Sequence, residues 1–468
     1  MDKFFKITEH GSTVKTEIIA GFTTFFAMAY IIFVNPNQVT GFTEGLSNIW
    51  NAVYVASILA ATIGTLLMAL YAKMPFAQAC GMGLNSFFFV SFILPQVIAG
   101  GDCVQGYQAG LVIVLISGII FMILSLTGAR QYIAKAMPEC LKKAIPAGIG
   151  LFITYIGFQN VGIIQANQYT LTQFVDIHGA INGEGGIMTV LPALLALLGF
   201  LIIVILGKRN VKGNVLLGIV ITAVLYYVFS GTVPSFDITQ IGQSFKDFAD
   251  IGVTGVFQSA SWKHAFSPEF VGGVFSAILY IITFCLIDMF DTIGTLYGTA
   301  AQADLLDENG DPQNLDKCMA CDSIATVSGA VLGTSTCTTF VESASGVAAG
   351  GRTGLTSLVA SICFFVCLFL TPLASIVPAC ATAPALIIVG FYMLSNVAGI
   401  NFSDYSEGIP CFICIAAMPF CYSISEGISM GVISYVVINV LTGKAKEKKI
   451  SVLMYVLVIL FILKYIFL

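Results

Sequence analysis

Long apolar runs separated by short polar breaks dominate the chain. A helix that crosses the hydrocarbon core of a bilayer needs about 20 mostly apolar residues. Reading the runs between breaks predicts spans at about 17–36, 51–72, 76–95, 106–128, 143–163, 187–207, 213–231, 269–298, 318–333, 335–349, 353–375, 378–398, 408–422 and 424–442, about fourteen in all. A last run, 450–468, is apolar enough to cross but could instead lie along the surface. The first 15 residues are polar, and the run that follows is too long for a signal-peptide core and lacks a small-residue cleavage site, so it reads as a retained helix.

Basic residues test the count, because cytoplasmic loops collect Lys and Arg. With the N-terminus in the cytoplasm, the inside segments hold Lys3, Lys6, Lys15, Lys73, Arg130, Lys135, Lys142, Lys143, Lys208, Arg209, Lys212, Lys317, Arg352 and the lysines of 444–449. The outside loops hold only Lys246 and Lys263. One missed or false span would scramble this bias over half the chain. The organisation expected is a cytoplasmic tail (1–16), spans one to seven (17–231), an extracytoplasmic loop (232–268), spans eight to fourteen (269–442), and a basic linker with a C-terminal apolar segment (443–468). The outer loops 164–186 and 232–268 are polar and too short for a sizeable soluble domain. One multi-pass protein of the cell membrane is expected.

Composition agrees. Hydrophobic residues are 57 % and charged residues 10 % of 468, where a soluble domain carries about 25 % charged; mean hydropathy is +0.93. An ordinary soluble enzyme and a disordered protein are excluded, and the net charge of −5 offers no basic face for nucleic acid. Most of the 13 cysteines sit in apolar runs and act as small hydrophobes. The CxxC pairs Cys318/Cys321 and Cys411/Cys414 have no second pair or His beside them, so no metal or cofactor is expected.

Two stretches resemble each other: PAGIGLFITYIGFQNVGI (146–163) and PALIIVGFYMLSNVAGI (384–400). They are the fifth and twelfth spans, and an offset of seven inverts the second half relative to the first. Inverted repeats are typical of secondary transporters, with the substrate site near the midplane where the halves meet. The same offset pairs the third span, with ACGMGLNSFF (79–88), and the tenth, with GTSTCTTFVESASGVAAGG (333–351). Both are rich in small residues and poor straight helices. Broken backbone at membrane depth is tolerated only against protein or a watery cavity, which points to the binding site.

Acidic groups inside spans are costly and usually functional. Asp288 and Asp291 share one helix face at i, i+3, and Glu342 lies in the tenth span. No Lys or Arg falls within these spans to pair with them. Glu17 and Glu426 lie at span ends, where water is expected. Asn85, in the broken third span, could read a donor–acceptor pair on a heterocycle, and Thr292, Thr338, Thr339 and Ser343 could line the site or cap the half-helix that follows. The three histidines lie in the tail or outer loops, so any proton relay must use carboxylates. Two carboxyls on one cavity would tend to share a proton, coupling it to substrate. Carboxylates with Ser/Thr oxygens also suit Na⁺, so the residues alone leave the ion open.

The stretches TEIIAGFTTFFAMAYIIFVNP (16–36), GMGLNSFF (81–88), DMFDTIGTL (288–296) and TSTCTTFVESASGVAAGGRTGLT (334–356) resemble the nucleobase–cation symporter family 2, and within it the adenine/guanine/hypoxanthine permease branch, the AzgA-like proteins. The resemblance implies an all-helical polytopic fold of fourteen spans in two inverted repeats of seven. It also implies core and gate domains, short strands in broken spans three and ten, proton-coupled symport and a homodimer. It places Asp288 and Glu342 as substrate carboxylates, Asn85 as the third-span contact, and backbone near Phe340 and Val341 at the site. Asp291 matches a second acid, for proton coupling or support. Uracil- and xanthine-type relatives differ in the eighth-span motif, and some carry a histidine that this chain lacks.

A carboxylate suits a purine. Guanine offers N1–H and its N2 amino group side by side, hypoxanthine offers N1–H, and charged acceptors make the stronger hydrogen bonds. Phe26, Phe87 and Phe340 could stack on the ring. A neutral ring supplies no driving force, so symport with a proton is expected. The alternative is a uracil, xanthine or other small-solute carrier on the same fold. An anion carrier would want a basic residue at the site; a membrane enzyme would want a metal cluster or a nucleophile–base set.

Overall fold

A computed structural model describes residues 2–127, 137–183, 186–211, 213–234, 237–302, 305–306, 312–374 and 376–467. Arg130, Lys135 and Lys212, used above to orient the spans, lie outside the described residues. The main helices are α1 (Val14–Met28), α2 (Ile31–Val39), α3 (Ser47–Leu67), α4 (Met82–Phe88), α5 (Cys103–Thr127), α6 (Glu139–Asn160), α7 (Ile187–Lys208), α8 (Asn214–Ser230), α9 (Gly273–Gln302), α10 (Leu315–Leu332), α11 (Ser343–Ala348), α12 (Gly354–Val366), α13 (Ala379–Leu394), α14 (Tyr405–Phe420), α15 (Ile424–Leu441) and α16 (Val452–Phe467). Strands are β1 (Gln78–Cys80), β2 (Ile164–Asn167), β3 (Leu171–Phe174) and β4 (Cys337–Thr339).

Among the described residues, ten helices are long and apolar enough to cross a membrane. The chain is a mostly helical, multi-pass membrane protein. The third expected span opens on the strand β1 but continues helically over Met82–Ala99, and it is one of the ten. The tenth is broken into the strand β4 and the short helix α11. The ninth, α10, is helical but carries Asp316, Lys317 and Asp322. The seventh and thirteenth appear as apolar helices of 17 and 16 residues.

α1 and α2 form one span with a kink at Ala29–Tyr30. There the bonds tighten to i→i+3, Ile32 N to Ala29 O (3.2 Å) and Phe33 N to Tyr30 O (3.1 Å). Pro36 contributes by lacking the N–H that Ile32 O would accept.

The two sequence-related stretches lie side by side, as α6 against α13. A Cβ on Gly390 would stand 1.9 Å from Thr154 Oγ1 and 2.4 Å from Gly150 O, so the backbones touch and glycine is required. The other related pair meets as an antiparallel ribbon in which Gln78 faces Thr339, Ala79 faces Thr338 and Cys80 faces Cys337. The ribbon extends through Gly81 N to Thr336 O and Phe340 N to Ala77 O, both 3.0 Å. Every strand residue is buried.

The outer loops hold more structure than their polar composition suggests. Residues 164–174 form the hairpin β2–β3. Loop 232–268 carries short helices that dock on α3, where Asn51 Nδ2 donates to the buried Asp247 at 2.7 Å.

Glu17 corrects an expectation. It does not face water: it is fully buried, and its carboxylate accepts from Arg352 N (2.9 Å), Thr353 N (3.3 Å) and Thr356 Oγ1 (2.6 Å). These are the first groups of α12, whose N–H groups have no partner within the helix. Arg352 turns the other way and donates to Val347 O and Gly351 O at the end of α11.

Candidate functional site: a cluster of carboxyls around the crossed ribbon

The β1–β4 ribbon leads into two helices, α4 and α11, and four elements pack around it: α3, α9, α10 and the α1–α2 span. Each contributes polar side chains to a low-dielectric interior, where every buried polar group must find a partner.

α9 carries Asp288 and Thr292, one turn apart. Asp288 is 1 % exposed, and its Oδ2 accepts from Thr326 Oγ1 of α10 at 2.7 Å. Its Oδ1 is buried and has no partner among the described residues. Thr326 also accepts from Cys337 N at 3.1 Å, tying the carboxyl to β4. Thr292 Oγ1 lies 2.8 Å from Thr338 Oγ1 and donates to Asp322 Oδ2 at 2.5 Å.

Asp322 is the residue the sequence reading overlooked. It is fully buried on α10, and its Oδ1 accepts from Gln78 Nε2 (3.1 Å) and Thr339 Oγ1 (3.3 Å). It therefore holds both strands and α9 at once. The signal was present: an acid inside the predicted span 318–333 satisfies the same rule that singled out Asp288. Gln78 and Thr326 gave no comparable signal, because their partners are distant in sequence.

Glu342 follows β4 and is half-buried. Tyr30, at the α1–α2 kink, donates its hydroxyl to Glu342 Oε1 at 2.5 Å. Asp291 is partly exposed; it lies within electrostatic range of Glu342, while Asp288 lies within range of Asp322 and Asp291. Asp288 and Glu342 thus belong to one cluster, with Asp291 between them. Among the described residues, no Lys, Arg or His side chain pairs with any of the four carboxyls.

The remaining candidates divide. Ser343 is buried and its Oγ accepts from Ala77 N at 3.0 Å, so it joins α11 to the start of the ribbon. Phe340 is buried, while Val341 is 46 % exposed beside Glu342. Thr338 and Thr339 spend their hydroxyls on the Thr292–Asp322 network. Asn85 is fully buried and engaged on both sides: its Oδ1 accepts from Ser335 Oγ, and its Nδ2 donates to Gln38 Oε1 at 3.4 Å. Phe87 packs on Phe284 (4.9 Å) and Tyr280 (5.9 Å), and Phe26 is 47 % exposed.

Comparison with known proteins places this geometry. A family profile described as "Permease family" matches residues 15–462. The guanine/hypoxanthine permease PbuG of Bacillus subtilis is 42 % identical over 475 residues, covering 100 % of both chains. The adenine permease AdeP of Escherichia coli is 38 % identical over 467 residues, covering 100 % of this chain and 96 % of that one. Among solved structures, the transmembrane domain of the cyanobacterial bicarbonate transporter BicA matches with a TM-score of 0.60 at 14 % identity, covering 88 % of this chain and 97 % of that one. The last shows a shared fold only. The two full-length identities and the profile together establish that this chain is a membrane transporter, not an enzyme, and belongs to the permease family.

Proposed function

We propose that this chain is a purine nucleobase permease that carries hypoxanthine, guanine or adenine by proton symport and alternating access. The observation that carries the reading is the cluster of Asp288, Asp291, Asp322 and Glu342, with which no cationic side chain pairs among the described residues. Four carboxyls so placed cannot all hold charge in a membrane interior, so protons must neutralise part of the cluster. The acceptors left over suit the N–H edge of a purine. The names of PbuG and AdeP, matched along the whole chain, support the same class. An anion would find no basic group here, which disfavours a bicarbonate-like substrate despite the shared fold.

On this reading Glu342 and Asp288 accept from the ring, Phe340 and Val341 contribute backbone and apolar contact, and Asp291 takes or gives the proton. Thr292, Thr338, Thr339 and Ser343 hold the carboxyls in place. Asn85 acts by bracing the third span, since both ends of its amide are already engaged.

The transport unit would have fourteen spans in two inverted halves, 17–231 and 269–442. The side-by-side packing of α6 with α13 and the pairing of β1 with β4 support this, because elements related by an inverted repeat meet at its axis. The ribbon and its neighbours would form a core that moves against a gate built around α6 and α13. The N-terminus would face the cytoplasm, and the functional unit would be a homodimer through the gate.

The test is uptake of labelled hypoxanthine, guanine and adenine into cells lacking their own purine carriers, with and without a protonophore. Protonophore-sensitive accumulation of at least one purine is expected. No purine uptake, with the protein present in the membrane, overturns the substrate class; accumulation that survives the protonophore and needs Na⁺ overturns the coupling ion.

A further inference from the structure

Tyr30 is fully buried, and its ring belongs to the main hydrophobic core. The kink at Ala29–Tyr30 fixes its backbone, and the core fixes its ring. Its hydroxyl therefore stands at one point in space, 2.5 Å from Glu342 Oε1. Among the described residues no other side chain hydrogen-bonds Glu342, and the Tyr30 hydroxyl bonds nothing else. Glu342 itself is only half-buried, on a turn between β4 and the six-residue helix α11. A glutamate there would sample several rotamers and would have to be ordered on binding.

We propose that Tyr30 is a positioning residue for substrate: its hydroxyl holds the Glu342 carboxylate in one rotamer and leaves Oε2 as the acceptor presented to the ring. The inference rests on Glu342 being a purine contact. A tyrosine buried only for packing would need some partner for its hydroxyl, but would not need that partner to be a half-exposed carboxylate at the site. The contact also spans 312 positions, so it reports on how the α1–α2 span sits against the tenth. A first-span displacement would loosen Glu342 and weaken substrate binding with no direct contact to the ring.

The experiment uses full-length protein in nanodiscs: wild type, Tyr30→Phe, Glu342→Gln and the double variant. Hypoxanthine binding is read by calorimetry, KM and maximal rate by uptake, and the carboxyl band by infrared difference spectroscopy. Phenylalanine keeps the ring and its packing, so melting without ligand should stay close to wild type. Tyr30→Phe should weaken binding and raise KM roughly tenfold, the scale of one hydrogen bond to a charged group, with maximal rate per transporter within about twofold. In the Glu342→Gln background it should add little, because it acts through Glu342. Unchanged KM in Tyr30→Phe, or independent losses that multiply in the double variant, overturns the proposal. If Glu342→Gln binds like wild type, the purine contact itself is wrong. If that variant binds nothing, the infrared band decides: the band lost in Glu342→Gln must move in Tyr30→Phe, and an unmoved band overturns the proposal.

Discussion

Asp322 offers a test in which structure and transport separate. Two substitutions remove its charge and differ in what they leave behind. In Asp322→Asn the amide oxygen can keep the bonds from Gln78 Nε2 and Thr339 Oγ1, now 3.1 and 3.3 Å long. The new NH₂ group then faces Thr292, whose hydroxyl can turn to donate to Thr338, 2.8 Å away, and accept from the amide. Every group keeps a partner, so stability should stay within about 1 kcal/mol of wild type. In Asp322→Ala, Thr292 can again turn to Thr338 and Gln78 Nε2 keeps its 3.4 Å bond to Thr339 Oγ1, but the Thr339 hydroxyl proton loses its acceptor. At about 1–3 kcal/mol per unmet buried group, the cost is about 1–3 kcal/mol. Thermal denaturation of the purified variants in detergent reads this difference. Uptake reads the other half: if Asp322 shares the cluster's proton with Asp291, Asp322→Asn should accumulate less purine than wild type, and a protonophore should remove less of that accumulation. An Asp322→Asn protein as unstable as Asp322→Ala would refute the rearrangement. One that accumulates purine like wild type would remove Asp322 from coupling and leave it a brace for the ribbon.

Further outcomes follow from other contacts. Glu17→Ala should cost about 2–6 kcal/mol, because it strips two backbone N–H groups at the start of α12 of their acceptor and leaves the Thr356 hydroxyl only Glu17 O, 3.4 Å away; the drop in melting temperature checks it. Gly390→Leu should abolish folded protein in the membrane, since the Cβ alone would lie 1.9 Å from Thr154 Oγ1; monodisperse elution after extraction would contradict this. Asn85→Ala should lower the melting temperature while leaving the ranking of purines in competition uptake unchanged; a changed ranking would make Asn85 a direct contact. Asp404 caps α14 and meets Lys448, and the Ser406 hydroxyl and N–H with the Lys448 ammonium hold its carboxyl below the usual range. A depressed acid stabilises above its unfolded value, about 3.9, and the gain fades as pH falls through the folded one. Melting of Asp404→Asn should therefore lie below wild type at pH 7 and approach it as the pH drops below about 4.

The membrane class, the broken spans and three of the four clustered acids were legible because each departs from a one-dimensional background: apolar runs, small-residue breaks, charges with no neighbouring base. Asp322 was legible by the same rule and was passed over inside the predicted span 318–333. What could not be read was pairing across the chain. Glu17 lies 335 positions from Arg352, and only contact shows that a span-end acid is a buried cap. Asn85 lies 250 positions from Ser335, so the sequence could not show that its amide oxygen accepts from that hydroxyl. The docked helices of loop 232–268 were passed over because a search for long apolar runs misses a short amphipathic helix, although Phe245 and Phe248 pack on the core from one side of it, and the bond from Asn51 to Asp247 is invisible in sequence.

The ribbon joins positions more than 250 residues apart through main-chain hydrogen bonds, Gly81 N to Thr336 O and Phe340 N to Ala77 O among them. Peptide bonds are the same whatever side chain they carry, so this ladder asks only for small size at Ala79, while Thr338 and Thr339 are also tied to Thr292 and Asp322. Residues flanking such a ladder can be exchanged one at a time while the two half-helices stay in register. A carrier built this way can drift from one small solute to another by short mutational steps, because no step asks the scaffold to be rebuilt. For an engineer, the ribbon's neighbours are the place to introduce diversity, and the ribbon itself is the part to leave alone.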